Sequence, residues 1–137
     1  MAHWLVKSEP AKYSWDKMVA DKRTHWDGVH NFQAANNMKA MKKGDRAFFY
    51  HSNEGKEIVG VVEIVREFYA NPDEPSDHFG LVDVGPVMPV KKPVTLAEMK
   101  ATPALKDMAL IRQSRLSVCP VTDTEWATIC KMAGISA

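Results

Sequence analysis

A chain of 137 residues that is 45% hydrophobic and 26% charged has the make-up of a folded domain with its own core, which excludes a disordered or fibrous polypeptide. Eighteen basic residues against seventeen acidic ones leave a net charge of +1, so any surface for a polyanion has to be local. No apolar run approaches the roughly 20 residues of a membrane span, the Met-Ala-His-Trp start lacks the basic n-region of a signal peptide, and the two cysteines, Cys119 and Cys130, are not at a metal-ligand spacing. The expectation is one domain over residues 1–137, cytoplasmic, with free thiols and no cofactor or metal.

The aromatic and aliphatic run at 3–7 predicts a strand, ended by Ser8-Glu9-Pro10 because proline donates nothing to a ladder. Ser14 is placed to cap a short helix over 15–20, with Asp16 in its first turn. Residues 21–29 read as irregular. Ala34, Ala35, Met38 and Met41 recur at three- and four-residue steps and predict a helix over 31–41, with Gly44 as its cap. Residues 46–50 form a strand with Phe48 and Tyr50 on one face and Phe49 and His51 on the other. A turn at 52–55 joins it to the β-branched run 58–65, the clearest strand in the chain. A loop at 71–77 precedes strands at 81–84 and 87–90, separated by Gly85-Pro86. Thr95 with Glu98, and Thr122 with Glu125, have the spacing of capping boxes and open helices over 96–100 and through Met132 to Gly134. A last strand is predicted at 115–119. The pattern is α+β: a curved, mostly antiparallel sheet with short helices, closable into a small β-barrel that removes its edges.

No hydrophobic period explains the segment from Trp26 to Asn37, which sets a large aromatic, a glycine turn and several carboxamides within twelve residues. A Trp face can stack a nucleobase, and Asn and Gln carry both donors and acceptors for its edge. The alternative is a Trp packed in the core beside a helix start. Enzyme signatures are missing: there is no G-x-S-x-G, P-loop, G-x-G-x-x-G or zinc-deaminase pattern.

The motifs Lys7-Ser8-Glu9-Pro10, Trp26-Asp27-Gly28-Val29, Asn31, Gln33-Ala34, Asn36-Asn37, Gly44-Asp45, Phe49-Tyr50-His51-Ser52, Gly60-Val61 and Ser114-Arg115-Leu116-Ser117-Val118 with Pro120 occur in order between Trp4 and Trp126. In these the chain resembles the EVE domain family. The resemblance implies a PUA-like β-barrel, kinship with the YTH domain, and a non-enzymatic module that holds a flipped, modified base of DNA or RNA in a pocket. Carried over by motif, Trp26 walls that pocket and Lys7 and Ser8 line it. Gly28, Val29 and Asn31 form its rim, Tyr50, His51 and Ser52 reach it from the hairpin, and Ser114, Arg115 and Leu116 from the last strand. The implied partner is nucleic acid, with no membrane and a monomeric chain. The family commonly has Arg where His30 stands and often where Ala35 stands, which weakens or removes two phosphate contacts that the resemblance implies.

Several residues keep two readings. Asn31 can bond a base edge or cap its helix. His51 can meet a base or stabilise a turn. Lys7 and Arg115 are the phosphate partners of choice, Arg through its planar fork, while Arg115 can instead pair internally with Glu9 or Asp45. Lys39, Lys42 and Lys43 form either a strand-tracking patch or a solvated face. Two other functions stay open: a pocket for a free nucleoside or other small molecule, and a hydrolase of modified nucleotides with Glu9 as its base.

Overall fold

The computed structural model describes residues 2–26, 31–53, 55–73 and 79–136. In chain order it forms β1 (His3–Ser8), α1 (Trp15–Asp21), β2 (Thr24–Trp26), α2 (Phe32–Ala40), β3 (Arg46–His51), β4 (Glu57–Ala70), β5 (Gly80–Thr95), α3 (Leu96–Lys100), a 3-10 turn (Pro103–Leu105), α4 (Ala109–Arg112), β6 (Val118–Val121) and α5 (Asp123–Ala133). One six-stranded sheet runs in the order β2-β5-β4-β3-β1-β6. The β1–β3 pair is parallel and the other pairs are antiparallel.

The fold is α+β as the pattern predicts, but the sheet is not closed into a barrel. Its edges are β2, three residues long, and β6, four residues with Pro120 inside. Such short edges, one carrying a proline, offer little ladder for closure and little template for aggregation. Curvature comes instead from the long β4–β5 ribbon, whose register shifts four times.

Those shifts explain one departure from the sequence pattern. Gly85-Pro86 does not break β5, because Pro86 lies opposite Val62 at a register shift, where an absent N–H is tolerated. Two other departures bear on the site. Residues 24–26, expected to be irregular, pair with Val82–Val84 as a sheet edge. The last strand starts at Val118, not at Arg115: the Leu116 N–H closes a turn on the Gln113 carbonyl at 3.0 Å, and buried Leu116 anchors that turn. Gly44 does not cap α2. The helix ends at Met41 in extended backbone, and Gly44, at φ +93°, shapes the turn into β3.

The alternation along β3 divides the core between the two sheet faces. Phe48 stacks on Trp126 of α5, with ring centroids 3.9 Å apart. Phe49, on the other face, meets Trp15 and Trp26 edge-on. Both capping boxes form as predicted, at Thr95 with Glu98 and Thr122 with Glu125. Buried Asp45 ties the start of β1 to the turn before β3, accepting from the Ala2 N–H, Trp4 Nε1 and the Lys42 N–H. Among the described residues no helix is long and apolar enough to cross a membrane.

Candidate nucleic-acid interface

The site grows from the end of β1. Pro10 ends the strand, and the Glu9 carbonyl accepts from the Lys12 and Tyr13 N–H groups at 2.9 and 2.8 Å. This tight turn carries Tyr13 back over the sheet, where the Ser8 hydroxyl donates to the Tyr13 carbonyl at 2.5 Å. The Tyr13 ring then faces Trp26 edge-on, with centroids 6.5 Å apart and planes at 86°. Trp26 in turn stands edge-on to Phe49 at 5.8 Å. Only 8% exposed, Trp26 packs in the core, and its remaining surface lines a cavity of about 420 Å³ with Lys7, Ser8, Glu9, Lys12, Tyr13, Thr24 and His25. That volume falls within the ~300–1,000 Å³ typical of small-ligand pockets.

A second cavity, of about 450 Å³, adjoins the first and shares Lys7 and Glu9 with it; Tyr50, Ser52, Asn53, Lys56, Ser114, Arg115 and Ser117 also line it. A third depression shares Ser114 and Arg115 with the second and extends to Asn31, Gln33 and Leu116. The expected single pocket is therefore distributed over three adjoining hollows. Lys7 and Ser8 stand beside Trp26, whereas Tyr50, Ser52, Ser114 and Arg115 do not. Gly28 and Val29 lie outside the described residues, as does His30. Ala35 is 1% exposed, so it is a core position in this chain.

The polar groups sort by how much of their bonding is already used. Lys7 Nζ donates to the Ser114 carbonyl at 2.8 Å and so clamps β1 to the 114–117 turn; burial pushes its pKa below the usual lysine value. Asn31 caps α2, its side-chain oxygen accepting from the Ala34 N–H at 3.0 Å. Asn37 donates to the Val118 carbonyl, tying α2 to β6. His51 Nε2 accepts the Trp15 N–H at 3.1 Å, so its ring supports the start of α1. With Ser8 bonded to Tyr13 and His51 to Trp15, neither side chain is arranged as nucleophile or base. Burial raises the Tyr50 phenol and holds the Cys119 thiol up at about 11, leaving it protonated and inert.

Arg115 forms no ion pair with Glu9 or Asp45 and, like Lys56, none with any described residue. Both cations are exposed on the wall of the second cavity. Lys39 instead sits over the Phe68 ring at 5.5 Å, and neither Lys39 nor Lys42 lines the three hollows. Sequence reasoning missed Tyr13 and Lys56. The available signal for Tyr13 was an aromatic stranded between Pro10 and the cap Ser14, where no strand or helix period buries it.

Human thymocyte nuclear protein 1 is 38% identical over 159 residues, an alignment covering 91% of this chain and 71% of that protein. A solved protein of Rhodopseudomonas palustris is 56% identical, covers 98% of this chain with 94% of its own, and superposes with a TM-score of 0.93. Human THYN1, solved in complex with DNA containing 5-methylcytosine, is 33% identical over the full length of both chains, with a TM-score of 0.90. The YTH domain of the Zygosaccharomyces rouxii MRB1 protein, at 17% identity and a TM-score of 0.59, shares the fold. The EVE domain pattern matches residues 2–132, and the chain belongs to the EVE domain family.

Proposed function

We propose that this protein is a non-enzymatic reader of a modified base in DNA or RNA, and that the cavity lined by Trp26 and Tyr13 holds that base flipped out of its strand. One observation carries the reading. A hollow walled by Trp26 and Tyr13, with room for a base, opens beside a second hollow edged by Arg115 and Lys56, two cations without an ion-pair partner among the described residues. Stacking supplies about 1–3 kcal/mol per base, and exposed unpaired cations beside it suit the flanking phosphates. The human THYN1 complex with 5-methylcytosine DNA, at 33% identity, supports the same ligand class.

In this reading Lys7, Ser8 and Trp26 bound the base, and Asn31 lies beside Arg115 along the path of the strand. Tyr50, Ser52, Ser114, Arg115 and Leu116 line the path of the strand, and His51 acts by holding α1 in place. We read residues 1–137 as a single EVE domain and its bent, unclosed sheet as a PUA-like barrel left open between β2 and β6. Cys119 and Cys130 are buried and in no disulfide among the described residues, which fits a reducing compartment such as the cytoplasm.

The test is fluorescence anisotropy with DNA and RNA oligonucleotides, unmodified or carrying 5-methylcytosine, 5-hydroxymethylcytosine or N6-methyladenine, at low and moderate salt. The reading predicts preference for one modification and weakening with salt through counterion release. Absence of binding to every oligonucleotide at low salt would overturn it in favour of a small-molecule ligand.

A further inference from the structure

Glu9 is an unexpected residue for a surface that meets a polyanion. Among the described residues it is the one carboxylate lining the three hollows, and it lines the two larger ones. A negative group there opposes phosphate binding, so its use has to lie with the base. Its backbone is fixed by the two hydrogen bonds that form the 9–13 turn. Among the described residues its side chain pairs only with Lys12, at 3.4 Å, and Lys12 is 80% exposed. An exposed pair of this kind holds itself together weakly, which leaves both groups able to turn toward a ligand.

We propose that Glu9 and Lys12 read the edge of the bound base and restrict the site to bases that present an amino donor beside a ring-nitrogen acceptor. This rests on the base-reading function proposed above. Both side chains line the Trp26–Tyr13 cavity, where the Ser8 hydroxyl is already spent on the Tyr13 carbonyl. The pair sets an acceptor-only group next to a donor-only group. Cytosine (N4 amino, N3) and adenine (N6 amino, N1) complement that order. Thymine and uracil, placed the same way, reverse it: a carbonyl oxygen meets the carboxylate and a ring N–H meets the ammonium. Once a base excludes water from the cavity, the mismatch is no longer screened.

5-Methylcytosine and thymine test this directly, because both carry the 5-methyl group and they differ at the edge. The experiment measures anisotropy of the full chain on two single strands identical except for one central 5-methylcytosine or thymine. The wild type is expected to prefer 5-methylcytosine at least about tenfold, the discrimination of one well-made edge contact. Glu9→Gln, whose amide can turn a donor toward the thymine carbonyl, is expected to bring the preference below about threefold. Equal binding of both strands by the wild type overturns the inference and leaves base reading standing, whether or not the variant folds. Full discrimination retained by a folded Glu9→Gln protein overturns the role of Glu9. Binding of neither strand overturns base reading itself, and this inference with it.

Discussion

The imidazole Nε2 of His51 accepts the backbone N–H of Trp15 across 3.1 Å, joining the end of β3 to the first turn of α1. The contact requires Nε2 to be unprotonated. Burial lowers the His51 pKa below the usual histidine value, while Glu57 and Asp16 pull the other way with smaller effect. The unfolded chain therefore takes up the proton first as pH falls. Stability from this group is complete above the ordinary histidine pKa of ~6.5 and declines as pH drops below it toward the lowered folded value. Urea denaturation at pH 8 and pH 5 checks the sign. His51→Ala should cost about 1 kcal/mol at pH 8 and show a shallower loss between the two pH values than the wild type.

Gly60 marks a close approach on the same face. A Cβ built there would lie 2.5 Å from Trp15 ring carbons. Gly60→Ala should destabilise by about 1–3 kcal/mol through overpacking. In a Trp15→Leu background the same change should cost clearly less, and the double-mutant cycle measures that coupling.

Arg115 and Lys56 predict a salt signature. Neither pairs with another described residue, so Arg115→Ala and Lys56→Ala should leave the melting temperature within a degree or two, as exposed substitutions do. Each should reduce the slope of log K against log salt by about 1. Binding isotherms at four salt concentrations read this. Lys42→Ala, off the three hollows, should leave the slope unchanged.

Trp26 serves the core as well as the cavity. Because it is 8% exposed and packs against Phe49, Trp26→Ala should lose about 3–5 kcal/mol of stability along with binding. Tyr13→Ala removes the adjoining aromatic wall from a half-buried position. It should therefore weaken binding while shifting a denaturation midpoint much less than Trp26→Ala.

The parts legible in the sequence were those fixed by local chemistry. The Thr95 and Thr122 capping boxes, the Asn31 cap and the β3–β4 hairpin depend on spacings within a few residues, and all form. Strand β2 was not legible, because three residues show no period and it exists only through pairing with β5. The 115–117 stretch looked like strand because it is continuous with Val118, yet a turn bond to Gln113 takes Leu116 out of the ladder. Lys7, Ser8 and Trp26, which the resemblance to the EVE family groups, line one hollow. The resemblance could not show the division into adjoining hollows, which follows from the Lys7 clamp onto Ser114 and from the 9–13 turn.

The most direct test of base reading is the indole N–H spectrum of the 15N-labelled protein, in which Trp4, Trp15, Trp26 and Trp126 each give one resonance. Trp4 Nε1 is held internally by Asp45 and serves as a control. Titration with a short strand carrying the preferred modified base should shift the Trp26 resonance to saturation, leave Trp4 in place, and move Trp26 far less with the unmodified strand. A strand that binds with Trp26 unmoved would contradict the assignment of the base to this cavity.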